Sequence, residues 1–75
     1  MKYYFVLGDI ATPYNSYEEA NEEFCDMLDY YEHYNASISC FNADKVLITT
    51  DSDKLYMSIV SEDDFKPMAH KFMII

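Results

Sequence analysis

The chain contains no arginine and no tryptophan, one glycine, two prolines and two cysteines. Each shortage excludes something. Five lysines stand against fourteen acids, for a net charge of −9. A direct nucleic-acid binder needs a basic stripe, and an anionic membrane surface repels a chain of this sign, so neither is expected as a partner. A lone glycine cannot build a glycine-rich phosphate loop. Two cysteines are no disulfide framework. No apolar run reaches the roughly 18 residues of a membrane span. The opening MKYYFVLGDIAT is interrupted by Asp9 and has no small-residue cleavage site, so it is not expected to act as a signal peptide. No repeat, linker or low-complexity tract divides residues 1–75, which read as a single domain.

Hydrophobic residues make up 51% of the chain, enough for a small core and too many for a disordered one. Eight tyrosines and five phenylalanines supply much of that apolar surface.

The best-specified stretch is residues 16–34, SYEEANEEFCDMLDYYEHY. At about 100° per residue, with Glu18 at zero, Tyr17, Ala20, Phe24, Met27, Leu28 and Tyr31 share an arc of about 180° to 280°. That is the width of face a helix presents to a core. Ser16 and Glu19 stand in capping-box register, and Asn35 suits a left-handed C-terminal cap. The other side is acidic. Glu18, Glu19, Glu22, Glu23, Asp26, Asp29 and Glu32 spread from about −40° to 140° with no lysine among them. Like charges at these spacings cost a few tenths of a kcal/mol per pair, and Asp29 and Glu32 also oppose the helix dipole. A face that is merely solvated normally mixes in lysine, so the arc reads either as a solvated face that favours solubility or as a surface for a basic partner. Tyr30 and Tyr34, at about 120° and 160°, edge the acidic arc as cover for the helix or as aromatic anchors.

Around this helix the remaining pattern predicts strands. Residues 2–8, KYYFVLG, show no polar alternation after Lys2 and are expected as an inner strand ended by Gly8. Residues 9–15 read as a connection in which Pro13 bars an early helix start. Residues 36–41, 45–50 and 54–60 alternate and are joined by Asn/Asp/Ser turns, giving an antiparallel meander. Ile38, Cys40, Val46, Ile48, Leu55, Met57 and Ile59 are expected to face the helix. Ser61 suits a cap for a short helical turn, after which residues 70–75 are expected to be extended. The fold class is therefore α+β: two layers, one amphipathic helix on a small, mainly antiparallel sheet, in the order β-α-β-β-β plus a tail. The tail or a second subunit would cover the far sheet face.

No pattern carries catalysis. Asp51, Asp53 and Glu62 match three positions of an EF-hand loop, but Leu55 and Tyr56 occupy positions that need a ligand and a glycine. Cys25, Cys40, His33 and His70 lack zinc-ligand spacing. Cys25 and His33 lie about 12 Å apart along the helix, too far for a thiol–imidazole pair. Cys25 falls outside the apolar stripe and Cys40 inside the sheet's inner face, so free thiols in a reducing cytoplasm are expected. The protein is expected to be no enzyme and to take no metal or cofactor.

From Glu18 to Glu32 the helix rises about 21 Å, so its seven acids are spaced about 3.5 Å apart along the axis. One DNA strand carries a phosphate every ~3.4 Å. Carboxylates at that spacing can occupy a nucleic-acid groove in a basic protein. In size and charge the chain is similar to small acidic phage-encoded antagonists of restriction or CRISPR systems, although no motif places it in a family. The expected function is a protein-binding inhibitor that contacts a basic, nucleic-acid-handling protein through Glu18, Glu22, Asp26, Asp29, Tyr30, Glu32 and His33. The alternative is a structural or assembly module that self-associates through its open sheet face. Either a monomer or a homodimer fits.

Overall fold

The computed structural model describes residues 1–75, a body of 34 × 24 × 22 Å. One helix lies on one face of a six-stranded, mostly antiparallel sheet. The strands are β1 (Tyr3–Leu7), β2 (Ile10–Tyr14), β3 (Ser37–Asn42), β4 (Lys45–Thr49), β5 (Lys54–Ser61) and β6 (Met73–Ile74), in the spatial order β3-β4-β5-β1-β2-β6. The helix α1 (Tyr17–His33) packs over β1, β2 and β5. No helix is long and apolar enough to cross a membrane.

Both ends of α1 are set by local chemistry. Ser16 is extended and its Oγ accepts from the Glu19 amide at 3.2 Å, while the Glu19 side chain stays exposed and returns no bond. At the other end Asn35 has φ +62. The Ala36 amide donates to the Tyr31 carbonyl at 3.0 Å and the Asn35 amide to that of Glu32 at 3.1 Å, the paired bonds of a Schellman motif.

The apolar stripe meets the sheet as its phase requires. Ala20 and Phe24 are fully buried with Phe5, Val46, Ile48, Met57 and Ile59. Tyr17, Met27, Leu28, Tyr31 and Ile38 close the margins of this layer, half-buried. Leu55 and Cys40 share the inner face by alternation but lie outside the cluster; Cys40 is exposed, contrary to expectation. The reason is placement. Cys40 sits on edge strand β3, and the helix lies over β1, β2 and β5.

The expected connection over residues 9–15 is instead strand β2, which makes the element order β-β-α-β-β-β. Gly8 and Asp9 are the two central residues of a tight hairpin between β1 and β2. Gly8 has φ +60 and Asp9 does not share it, as in a type II′ turn. Pro13 lies where β6 no longer pairs with β2, a position that tolerates a missing N–H. A Cβ on Gly8 would stand 3.1 Å from Leu55 Cδ2, so Gly8→Ala combines a left-handed backbone with a tight contact. It is expected to destabilise by about 1–2 kcal/mol, read as a lower denaturation midpoint at unchanged m-value.

The tail covers part of the far face. Ser61 caps α2 (Glu62–Phe65), accepting from the Asp64 amide at 3.3 Å. A 3₁₀ turn over Lys66–Lys71 follows with Pro67 in its first turn, so the segment stays helical further than expected. Only Met73–Ile74 is strand, paired in parallel with β2. Phe65 is buried with Val6 and Ala11, stacked on Tyr4 at 4.0 Å. Strand β1 is thus covered on both sides, with Phe5 facing α1 and Val6 facing the tail. The outer face of β3, β4 and β5 stays open, leaving Phe41 and Tyr56 more than half exposed.

Candidate functional site

Helix α1 turns its acids away from the sheet. Glu18, Glu19, Glu22, Asp26, Asp29 and Glu32 are exposed, and Glu23 is half-buried. None of the seven carboxylates accepts a hydrogen bond from within the molecule; the side-chain oxygens that do accept belong to Ser16, Asn42, Asp44, Thr50, Asp53, Ser61 and Glu62. All five lysines lie on other elements. The Nζ of Lys45 sits over the outer-face pair Phe41 and Tyr56, 5.8 and 5.2 Å from their ring centres. The seven charges of α1 are therefore free to meet a ligand rather than being spent on internal pairs.

Tyr14, from β2, closes one flank of this surface. Its ring lines a shallow depression of about 210 Å³ with Glu19, Glu22, Glu23 and Asp26. Burial raises the Tyr14 phenol above its ordinary value, and the charges of Glu23 and Glu19 raise it further. A raised phenol favours the folded state while neutral. Its contribution is present below about pH 10 and is lost as the pH rises through the higher folded value. Glu19→Gln with Glu23→Gln should shift the tyrosinate absorbance titration of Tyr14 toward lower pH, identified by its loss in Tyr14→Phe.

The helix is anchored at its first turn. The Tyr17 hydroxyl donates to the Asp44 carboxylate in the β3–β4 turn, and this bond is the main reason the Tyr17 phenol is raised. Asp44 is itself fixed: its amide donates to Asn42 Oδ1 at 2.7 Å and its carbonyl accepts from Ile59 at 2.9 Å. Tyr17→Phe should therefore lower stability by about 0.5–1.5 kcal/mol in chemical denaturation.

The far end of α1 carries aromatics. Tyr30 is 52% and Tyr34 66% exposed, so both stand out from the helix rather than sealing it. Tyr30 meets Tyr31 edge-on at 5.3 Å and 85°, and Tyr34 at 4.8 Å and 54°. His33, also exposed, touches the Tyr34 ring edge-on at 5.2 Å. With the β4–β5 turn these tyrosines enclose a groove of about 680 Å³, in the size range of binding pockets. The sequence pattern singled out Tyr30 and His33 beside the acidic arc, of which Tyr30 lines this groove and His33 does not. The pattern did not bring Asp51 or Thr49 to the helix end, because β-strand pairing across the sheet does that; the visible signal was the tyrosine cluster Tyr30, Tyr31 and Tyr34 itself.

Other residues with chemical interest stay apart. Asp53 accepts from the Lys54 amide at the start of β5, whereas Glu62 follows the end of that strand and accepts from the Lys2 amide. That bond lowers the Glu62 carboxyl below its ordinary value. Cys25 and Cys40 are free and both exposed, so neither shields its thiol as expected for Cys40. Both should react with a thiol reagent in the native protein, giving two adducts by intact mass.

No protein-family model, curated protein or solved structure matches this chain.

Proposed function

We propose that the protein is a small acidic inhibitor that binds a basic, nucleic-acid-handling protein through the solvent face of α1, in the manner of a phage anti-defence nucleic-acid mimic. The observation that carries this reading is the set of seven uncompensated carboxylates on one helix, free of internal hydrogen bonds. A helix accepts that much like-charge repulsion at a cost in stability. Opposite charge on a partner removes the cost and steers association. Glu18, Glu22, Asp26, Asp29 and Glu32 supply the charge, with Tyr30 and His33 at the end of the face. No bond is made or broken by the protein in this role, and it acts by occupying the nucleic-acid groove of the partner.

The test is capture from lysate of the native host, with bound proteins identified by mass spectrometry and their retention followed as salt is raised. A nucleic-acid-binding protein released steeply by salt supports the reading, because exposed charge pairs are screened. Capture that ignores salt counts against it.

A second reading, self-association through the open sheet face, is favoured by one observation. The tail leaves Phe41 and Tyr56 uncovered, stacked at 5.9 Å. An apolar interface is not screened, so sedimentation should then show a dimer that persists in high salt. Phe41→Ser would dissociate it.

A further inference from the structure

We infer that the groove at the C-terminal end of α1 is a receptor for an arginine side chain of the partner. The inference rests on the reading that the partner is basic, and adds the side chain it inserts and where.

The groove has aromatic walls and an acidic rim. Tyr30, Tyr31 and Tyr34 meet at steep angles rather than as a parallel stack, so ring faces and edges border the same space. Asp51 lines the opposite side, and its carboxylate takes no internal hydrogen bond. The Thr50 hydroxyl is already engaged with Asp53, at 3.1 and 3.3 Å, which leaves the Asp51 carboxylate as the free acidic acceptor of the groove. The negative end of the helix dipole points the same way. No lysine lines the groove.

The molecule shows what its exposed aromatic pairs do with a cation. Phe41 and Tyr56 hold Lys45 over their rings. Tyr30 and Tyr34 are similarly exposed and have no cation of their own. An anion is disfavoured by Asp51 and by the charge of the whole chain. Among cations, guanidinium fits better than ammonium. It is planar and weakly hydrated, so its face stacks on an aromatic ring while in-plane donors reach a carboxylate. Ammonium is a compact, strongly hydrated charge with no face to stack.

The experiment is a titration of the intact protein with N-acetyl-arginine amide, followed by backbone and tyrosine-ring NMR shifts. Saturable shifts should be confined to residues 30–37 and 49–52. N-acetyl-citrulline amide, which keeps the shape without the charge, should not bind, and N-acetyl-lysine amide should bind more weakly. Tyr30→Ala and Tyr34→Ala should each weaken the arginine probe by about fivefold or more. Both side chains are largely exposed, so these variants should keep the native spectrum elsewhere; Tyr34→Leu, which retains bulk, should lose binding too. Equal binding of the citrulline probe, tighter binding of the lysine probe, shifts spread evenly along α1, or no shift at the tyrosines would each overturn the inference. The two proposals fail separately. Neutralising Glu22, Asp26 and Asp29 should leave the arginine probe bound in the groove whatever it does to partner capture. If capture depends on those acids but the tyrosine variants capture normally, the groove assignment falls and the acidic face stands.

Discussion

Phe24→Ala is expected to unfold much of the population at ambient temperature. Phe24 is 3% exposed and meets Phe5 edge-on at 6.5 Å and 89°. It is the one large α1 side chain that is fully buried, and it shares one core cluster with residues of β1, β4 and β5. Removing such a ring costs about 3–5 kcal/mol through lost burial and the cavity left behind. A domain of this length has roughly 4–11 kcal/mol in total, and only ten of its residues are fully buried, so little remains to compensate. The thermal midpoint should fall by about 12–40 °C. Phe24→Leu keeps most of the apolar volume and should cost less than Phe24→Ala. A midpoint unmoved by Phe24→Ala would mean that α1 meets the sheet through another face.

The second large effect concerns binding. Glu22→Gln, Asp26→Asn and Asp29→Asn together remove three charges from the middle of the acidic face. All three side chains are exposed and make no hydrogen bond within the molecule, so nothing in the fold depends on them. Stability should stay level or rise by a few tenths of a kcal/mol per relieved pair, since Glu18/Glu22, Glu22/Asp26 and Asp26/Asp29 no longer repel. Removing Asp29 also relieves a negative charge near the negative helix end. Affinity for a basic partner should fall instead. At up to about 1 kcal/mol for each solvent-exposed ion pair, the triple variant loses at most roughly a hundredfold. Its salt dependence should flatten, because fewer ion contacts remain to be screened. Denaturation and binding have to be measured on the same preparation, since a variant that unfolds says nothing about its surface. Full affinity with an unaltered salt response would leave the acidic face as a solubilising surface only.

Much of α1 was readable from the sequence because its signals are local. Ser16 before the first turn, Asn35 beyond the last and the stripe from Tyr17 to Tyr31 all lie within the twenty consecutive residues 16–35, and the structure uses them in those roles. The same holds for the alternation in β4 and β5, where Val46, Ile48, Met57 and Ile59 are the residues that bury. The acids of α1 were readable as a face for the same reason. Once the stripe is buried, the opposite arc has nowhere to point but outward.

Tertiary structure decided the rest. Residues 10–14 look like a loop because Pro13 interrupts them, yet β1 supplies a partner along the whole stretch and Gly8–Asp9 closes the hairpin; the Gly-Asp pair was the local sign of it. Strand β6 exists only because β2 does, so the tail could not be read before its neighbour. Alternation sends Cys40 inward, but a side chain is buried only where another layer lies above it, and α1 lies over other strands. The tyrosine groove is the clearest case. Tyr30, Tyr31 and Tyr34 are neighbours in sequence, but Asp51 and Thr49 reach them only through the pairing of β3 with β4. A helix and its charged face follow from the order of nearby residues, because backbone geometry repeats over a few positions. A site built across a sheet follows from strand pairing, which joins residues that no local period relates.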